Sequence, residues 1–294
     1  MFNSLIAFII AIVISAVAWL MHTLHLSETH VKTNTSDEEG KYYAAVKDAS
    51  ATPTGTSETH QVHFDLVDPE CAPEAKLYMI MYGYQIMEET AKHCPENVGN
   101  ALSCNNCHFN AGNTLGGSNR GISLVGVTEV YPRFSSRDNK MISLNDRLDN
   151  CFKRSLNGVP LPEDSIERDA LVSYFKWISH EVASLGKYPW LGLKFLDSKH
   201  EGDIANGEKV YHKHCSLCHG ENGEGSERPS ATSIPPLWGN QSFNDGAGMN
   251  RLDMASSFIF YNMPLGQPTL TEEEAIDVAA FVVAQPRPHF NPNR

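Results

Sequence analysis

Apolar and polar positions fall into distinct regimes along this 294-residue chain. Leu5 to Met21 is a run of 17 uncharged, mostly apolar residues with Trp19 near its outer end. Phe2 to Met21 just supplies the ~20 residues needed to cross a bilayer core, which predicts a membrane anchor over residues 1–26. The competing reading is a cleaved signal, because Ala16-Val17-Ala18 resembles a small-x-small site. The length of the run, with no Lys or Arg before it, favours the anchor. Residues 27–60 are rich in Thr, Ser, Glu, Asp and Lys without apolar periodicity, which predicts a flexible tether.

Helical periodicity then sets in. Leu77, Ile80, Met81, Tyr84, Ile86 and Met87 predict a helix over 74–92 with one apolar face. A second helix is predicted over 143–157. A third starts at Pro162-Glu163-Asp164-Ser165 and runs to about Val182, with Leu171, Tyr174, Phe175 and Ile178 as its packing stripe. After the connection around Tyr188-Pro189-Trp190, the order repeats more compactly. A helix spans 203–214, a Gly-rich loop follows, then Pro235-Pro236-Leu237, then Met263-Pro264, then a helix over 271–284. Thr271 with Glu274 forms a capping box that fixes the start of that last helix. The pattern predicts a mainly α protein with two domains after the tether, 61–200 and 201–294.

Charge and cysteine usage narrow the chemistry. A net charge of −12 argues against nucleic acid as a partner, since phosphate binding needs a basic face. Two pentapeptides, Cys104-Asn105-Asn106-Cys107-His108 and Cys215-Ser216-Leu217-Cys218-His219, carry the attachment signature of haem c. In that signature both cysteines add to the haem vinyl groups and the histidine reaches the iron. A zinc or redox CxxC is the bland alternative, but two copies, each expected to follow a helix, favour a pair of covalently bound haems c. Haem c is attached outside the bacterial cytoplasmic membrane, so the expected location is the periplasm, tethered by the N-terminal helix. In that oxidising compartment Cys71 and Cys94 either pair as a disulfide or stay as thiols; an intervening helix would hold them up to ~30 Å apart unless the chain folds back.

In the second domain, the order helix, haem motif, Pro-Leu loop, Met-Pro loop and closing helix resembles a class I cytochrome c over residues 201–286. His219 and Met263 would then be iron ligands, with Met249 and Met254 as alternatives. Met263 lies 44 positions after His219, whereas 43 positions after His108 stands Cys151. Cys151 is therefore a candidate sixth ligand of the first haem, with Met141 as the alternative. On a helix, Arg147, Cys151 and either Arg154 or Ser155 share one face. Residues 133–154 carry six basic and three acidic residues in an otherwise acidic chain, which points to an anionic ligand; a solvated charged face is the bland account.

The runs Val98-Gly99-Asn100-Ala101-Leu102-Ser103, Tyr131-Pro132, Arg147-Leu148-Asp149-Asn150-Cys151 and Arg154-Ser155-Leu156-Asn157-Gly158, with Arg137, resemble the dihaem thiosulfate dehydrogenase / tetrathionate reductase family. The resemblance runs from about residue 75 to 286. It implies an enzyme interconverting two thiosulfate ions and one tetrathionate with two electrons. It also implies His108 and Cys151 on a catalytic haem, His219 and Met263 on an electron-transfer haem, and Arg137, Arg147 and Ser155 lining the substrate site. Some members exchange a lysine for the neighbouring methionine on the second haem; Asn262 precedes Met263 here, so that switch is absent. Residues 201–294 carry six basic and twelve acidic residues, which suits docking of a small basic redox partner such as a cytochrome c. The rival readings are a membrane-tethered dihaem electron carrier feeding a terminal oxidase, and a dihaem peroxidase.

Overall fold

The computed structural model describes residues 66–228 and 231–292; the predicted anchor and tether lie outside them. Among the described residues no helix is long and apolar enough to cross a membrane.

Helix α1 (Glu74–Glu88) buries Ile80, Ile86 and Met87. It breaks at Glu89, where φ −129° and ψ 58° leave the helical region, and resumes as the single turn α2 (Thr90–His93). The break has a cause. Thr90 Oγ1 accepts from Cys104 N at 3.0 Å, and Thr90 N donates to Ser103 Oγ at 3.2 Å, which turns the chain toward the first haem motif. That motif does not follow a helix as expected. Irregular backbone separates it from α2, and it opens as a 3₁₀ turn, Cys104–Asn106, capped reciprocally by Ser103 and Asn106.

A short antiparallel hairpin that periodicity did not predict pairs β1 (Arg133–Ser135) with β2 (Lys140–Ile142), with Phe134 opposite Met141. Helix α3 (Leu144–Asn150) is capped by Ser143, whose hydroxyl accepts from Asp146 N at 3.1 Å. The predicted helix over 143–157 then changes pitch. Residues Cys151–Ser155 form a π-turn closed by Leu156 N donating to Cys151 O at 3.0 Å. Helix α4 (Ile166–Ser179) starts at the Ser165 cap, and the whole predicted stripe (Leu171, Tyr174, Phe175 and Ile178) is buried. It packs against α1, where a Cβ on Gly83 would lie 2.2 Å from Ala170 O; only glycine permits that approach. Each large side chain in this core contributes about 1.5–3 kcal/mol by leaving water.

In the second half, α5 (Ile204–His214) is capped by Asp203 and leads directly into α6 (Ser216–His219) across Cys215. Strands β3 (Ser226–Arg228) and β4 (Ala231–Ile234) pair antiparallel. Helix α7 (Leu252–Asn262) was not expected: Asp253, Ser256 and Ser257 interrupt its apolar run and no side chain caps its start. Helix α8 (Glu272–Val283) starts at the predicted Thr271–Glu274 capping box. It crosses α5 so closely that a Cβ on Gly207 would sit 2.0 Å from Asp277 O. Val210, Tyr211, Leu270, Ala275, Val278 and Val282 form this second core, separate from the α1–α4 core.

Side-chain amides join the halves. Asn100 Nδ2 donates to Ser155 O at 2.9 Å and to Ser242 O at 3.1 Å, and Asn244 Nδ2 donates to Lys153 O at 2.8 Å. Cys71 and Cys94 are separate thiols, one exposed and one buried, and burial pushes the Cys94 thiol up to about 12.

Candidate active site

Both histidines of the CxxCH motifs are oriented the same way. His108 Nδ1 lies 2.8 Å from Ile122 O, and His219 Nδ1 lies 3.0 Å from Pro235 O. A carbonyl only accepts, so Nδ1 carries the proton in each ring and Nε2 presents a lone pair. Burial lowers both histidines, His108 to about 4, so both imidazoles stay neutral as iron ligands must. Cys104 and Cys107 are likewise pushed up to about 12, first by burial and then by neighbouring sulfur charge, Cys151 included. Such a slot suits thioethers better than thiolates. The donor set in both motifs therefore fits haem c.

Near the first motif the π-turn starts at Cys151, and Arg147, one helical turn earlier, donates from Nη1 to its Sγ at 3.0 Å. Attraction to Cys151, together with Tyr131 and against the cost of desolvation, holds Arg147 above the ordinary guanidinium value. Arg147 is exposed to solvent. Its positive charge also contributes to depressing His108. The histidine, the three sulfurs and the guanidinium therefore lie close enough to feel one another's charge.

The cationic face is wider than the sequence suggested. Arg137, in the tip of the β1–β2 hairpin, donates from Nη1 to Gly246 O at 3.2 Å, so the second half places it. It is held below its usual value by burial and then by the like charges of Arg154, Arg147 and Arg251. Arg251 stands in the acidic half with no local signal of a role, and sequence reading passed it over. Arg154 bends away from Cys151: it pairs with Asp138 at 3.4 Å and lies 4.2 Å over the Phe290 ring. The wider pitch of the π-turn separates it from the face that Arg147 and Cys151 share. Ser155 enters through its backbone, its carbonyl accepting from Asn100; no bond from its hydroxyl to Cys151 is seen. Met141 is exposed on the hairpin, while the Met254 methyl carbon approaches Gly248 beside Arg137. Met263 ends α7, its N–H donating to Ile259 O at 2.8 Å.

Residues 204–285 match the family model for cytochrome c. A thiosulfate dehydrogenase of Allochromatium vinosum is 38% identical over 213 residues, covering 72% of this chain and 79% of that protein. One from Thiomonas intermedia is 40% identical over 212 residues, covering 71% and 66%. The chain belongs to the thiosulfate dehydrogenase family. Among solved structures, the thiosulfate dehydrogenase TsdBA from Marichromatium purpuratum superposes with a TM-score of 0.72 at 30% identity. The match covers 79% of this chain and 50% of that one, so this chain spans about half the length of that solved relative. Family membership makes the protein an oxidoreductase enzyme carrying covalently bound haem c, which sets aside the non-enzymatic carrier.

Proposed function

We propose that this chain oxidises thiosulfate to tetrathionate, and runs the reverse reaction, at a site built on Cys151. The observation that carries the reading is the Arg147–Cys151 contact at 3.0 Å, with Arg137 near enough to feel the charge of Arg147. His108 and Cys151 would hold the iron of one haem, and His219 with Met263 that of a second. Haem c supplies one-electron acceptors, and a pair of them matches the two electrons released when two thiosulfates couple.

The protein's own groups perform the sulfur chemistry. Two thiosulfate dianions repel, and Arg137 and Arg147 offset that cost because guanidinium binds oxyanions through paired N–H donors. Ser155 completes the substrate lining as a hydroxyl donor. Arg147 stabilises the Cys151 thiolate. The thiolate Sγ bonds to the outer sulfur of one thiosulfate with loss of two electrons, giving Cys–S–S–SO₃⁻. A second thiosulfate attacks that outer sulfur, breaks the bond to Sγ and leaves as tetrathionate, regenerating the thiolate by thiol–disulfide exchange.

The anchor over 1–26 and tether over 27–60 would keep the enzyme at the outer face of the cytoplasmic membrane. Its acidic second half would receive a small basic redox partner. The test is a thiosulfate–ferricyanide assay on the holoenzyme. Ferricyanide reduction with one tetrathionate formed per two electrons supports the reading; thiosulfate-independent haem redox cycling without tetrathionate defeats it.

A further inference from the structure

Asn262 makes a cross-half hydrogen bond that lies next in sequence to one predicted iron ligand and one residue from the carbonyl that holds the other. Its side chain is fully buried at the end of α7, next to Met263. Nδ2 donates to Phe258 O of its own helix at 2.9 Å, which turns Oδ1 outward to accept from Gly121 N in the other half at 2.8 Å. The next residue, Ile122, does two things. Its N–H donates to Cys107 O at 2.9 Å, and its carbonyl accepts the His108 Nδ1 hydrogen bond at 2.8 Å.

The same loop grips the Met263 turn on both sides. Asn119 N donates to Tyr261 O at 3.0 Å, and Asn119 Oδ1 accepts from Gly266 N at 2.6 Å. The loop has little freedom. Asn119 and Gly121 both have positive φ, 58° and 65°, and a Cβ on Gly121 would lie 2.8 Å from Cys107 O. Phe109 and Phe258 stack edge to face beside it, with centroids 5.8 Å apart.

We propose that Asn262 is a positioning residue that couples the two iron sites, its carboxamide holding the 119–122 loop and thereby the carbonyl that orients His108. This rests on the reading of His108 and Met263 as iron ligands. The hydrogen bond to Nδ1 makes an imidazole a stronger donor to its metal, and weakening that bond raises the reduction potential of the iron it binds. Removing Oδ1 leaves Gly121 N–H buried without an acceptor, so the loop moves to satisfy it and Ile122 O moves with it. The position before Met263 thus keeps a role in linking the haems although it carries no lysine.

The test is spectroelectrochemical titration of the holoenzyme and two variants, Asn262→Leu and Asn119→Gly, with each haem followed by its own absorption. Asn119→Gly keeps the positive-φ turn and removes only the acceptor for Gly266 N, so it folds even where Asn262→Leu does not. Asn262→Leu should raise the midpoint of the haem on His108, lowering its oxidised-to-reduced ratio at fixed potential by about three- to tenfold. Tenfold is about 59 mV for a one-electron couple. Asn119→Gly should shift it the same way by less, and the methionine–iron absorption band should persist in both. An unmoved first midpoint in the folded variants overturns the coupling while leaving the ligand assignment intact. A parent enzyme without the methionine–iron band overturns both.

Discussion

His108 and His219 are held by the same device, a backbone carbonyl on Nδ1 at 2.8 and 3.0 Å, and beyond that bond the two halves diverge. The half of His108 brings Cys151 against Arg147 and Arg147 within range of Arg137, and the sixth-ligand candidate sits at the start of a π-turn. The half of His219 holds an α-helical motif, a cluster of aromatic rings and a methionine at a helix end, with twice as many acids as bases. On the proposed reading one scaffold carries two tasks. Chemistry needs a nucleophile and concentrated positive charge; electron exchange needs neither.

The largest test of that contrast is Cys151→Gly. It should leave both haems attached and lower thiosulfate turnover by about three orders of magnitude or more, because the covalent route is lost. Steady-state assay with haem quantification checks it. Met263→Gly, the matching change in the other half, should instead alter the second haem's potential and spectrum.

Next in size is Arg147→Ala. A hydrogen bond to a charged group contributes about 1.5–3 kcal/mol, so turnover should fall roughly ten- to a hundredfold, with Arg147→Lys recovering part of it. Arg137→Ala should be milder. It removes charge from the mouth of the site, so KM should rise about fivefold, kcat should change less, and the salt dependence of kcat/KM should flatten.

The smallest effect lies in the acidic half. His200 Nε2 meets buried Asp277 at 2.5 Å, and this bond, against some desolvation and aided by Glu273 and Asp203, raises the histidine above its ordinary 6.5. Asp277 is held below its ordinary 3.8: burial alone would raise it, but bonds from Asn206, Asp203 N and His200 outweigh that. The histidine's contribution is complete below its unfolded value of 6.5 and fades as pH rises through its raised folded value. The carboxylate's contribution is present above 3.8 and fades as pH falls through its lowered folded value. Thermal midpoints of parent and His200→Ala should therefore differ most between about pH 4 and 6.5 and converge in alkali.

Much of this was legible in the chain. The α4 stripe, the Asp203 start of α5 and the Thr271–Glu274 box are local patterns, and the structure repeats them. The haem signature and the Arg147–Cys151 spacing are local as well. What was not legible depends on distant partners. A π-turn and an α-turn look alike in sequence until Leu156 N chooses the Cys151 carbonyl. Arg251 and Gly246 join the site only because the halves pack together. Asn262 reads as a missing lysine until Gly121, 141 residues away, is seen bonded to it. The expected Cys71–Cys94 alternatives resolve to two thiols because α1 and the turn after it carry one outward and the other into the core.

The nucleophilic role of Cys151 is tested most directly by mass spectrometry of the oxidised holoenzyme mixed with tetrathionate and no electron donor. Attack by the Cys151 thiolate on the central S–S bond should release one thiosulfate and leave one S₂O₃ unit on the Cys151 peptide, removable by a thiol reductant and absent from Cys151→Gly. An unmodified Cys151 peptide under turnover-competent conditions, or the same adduct on another cysteine, would contradict the account.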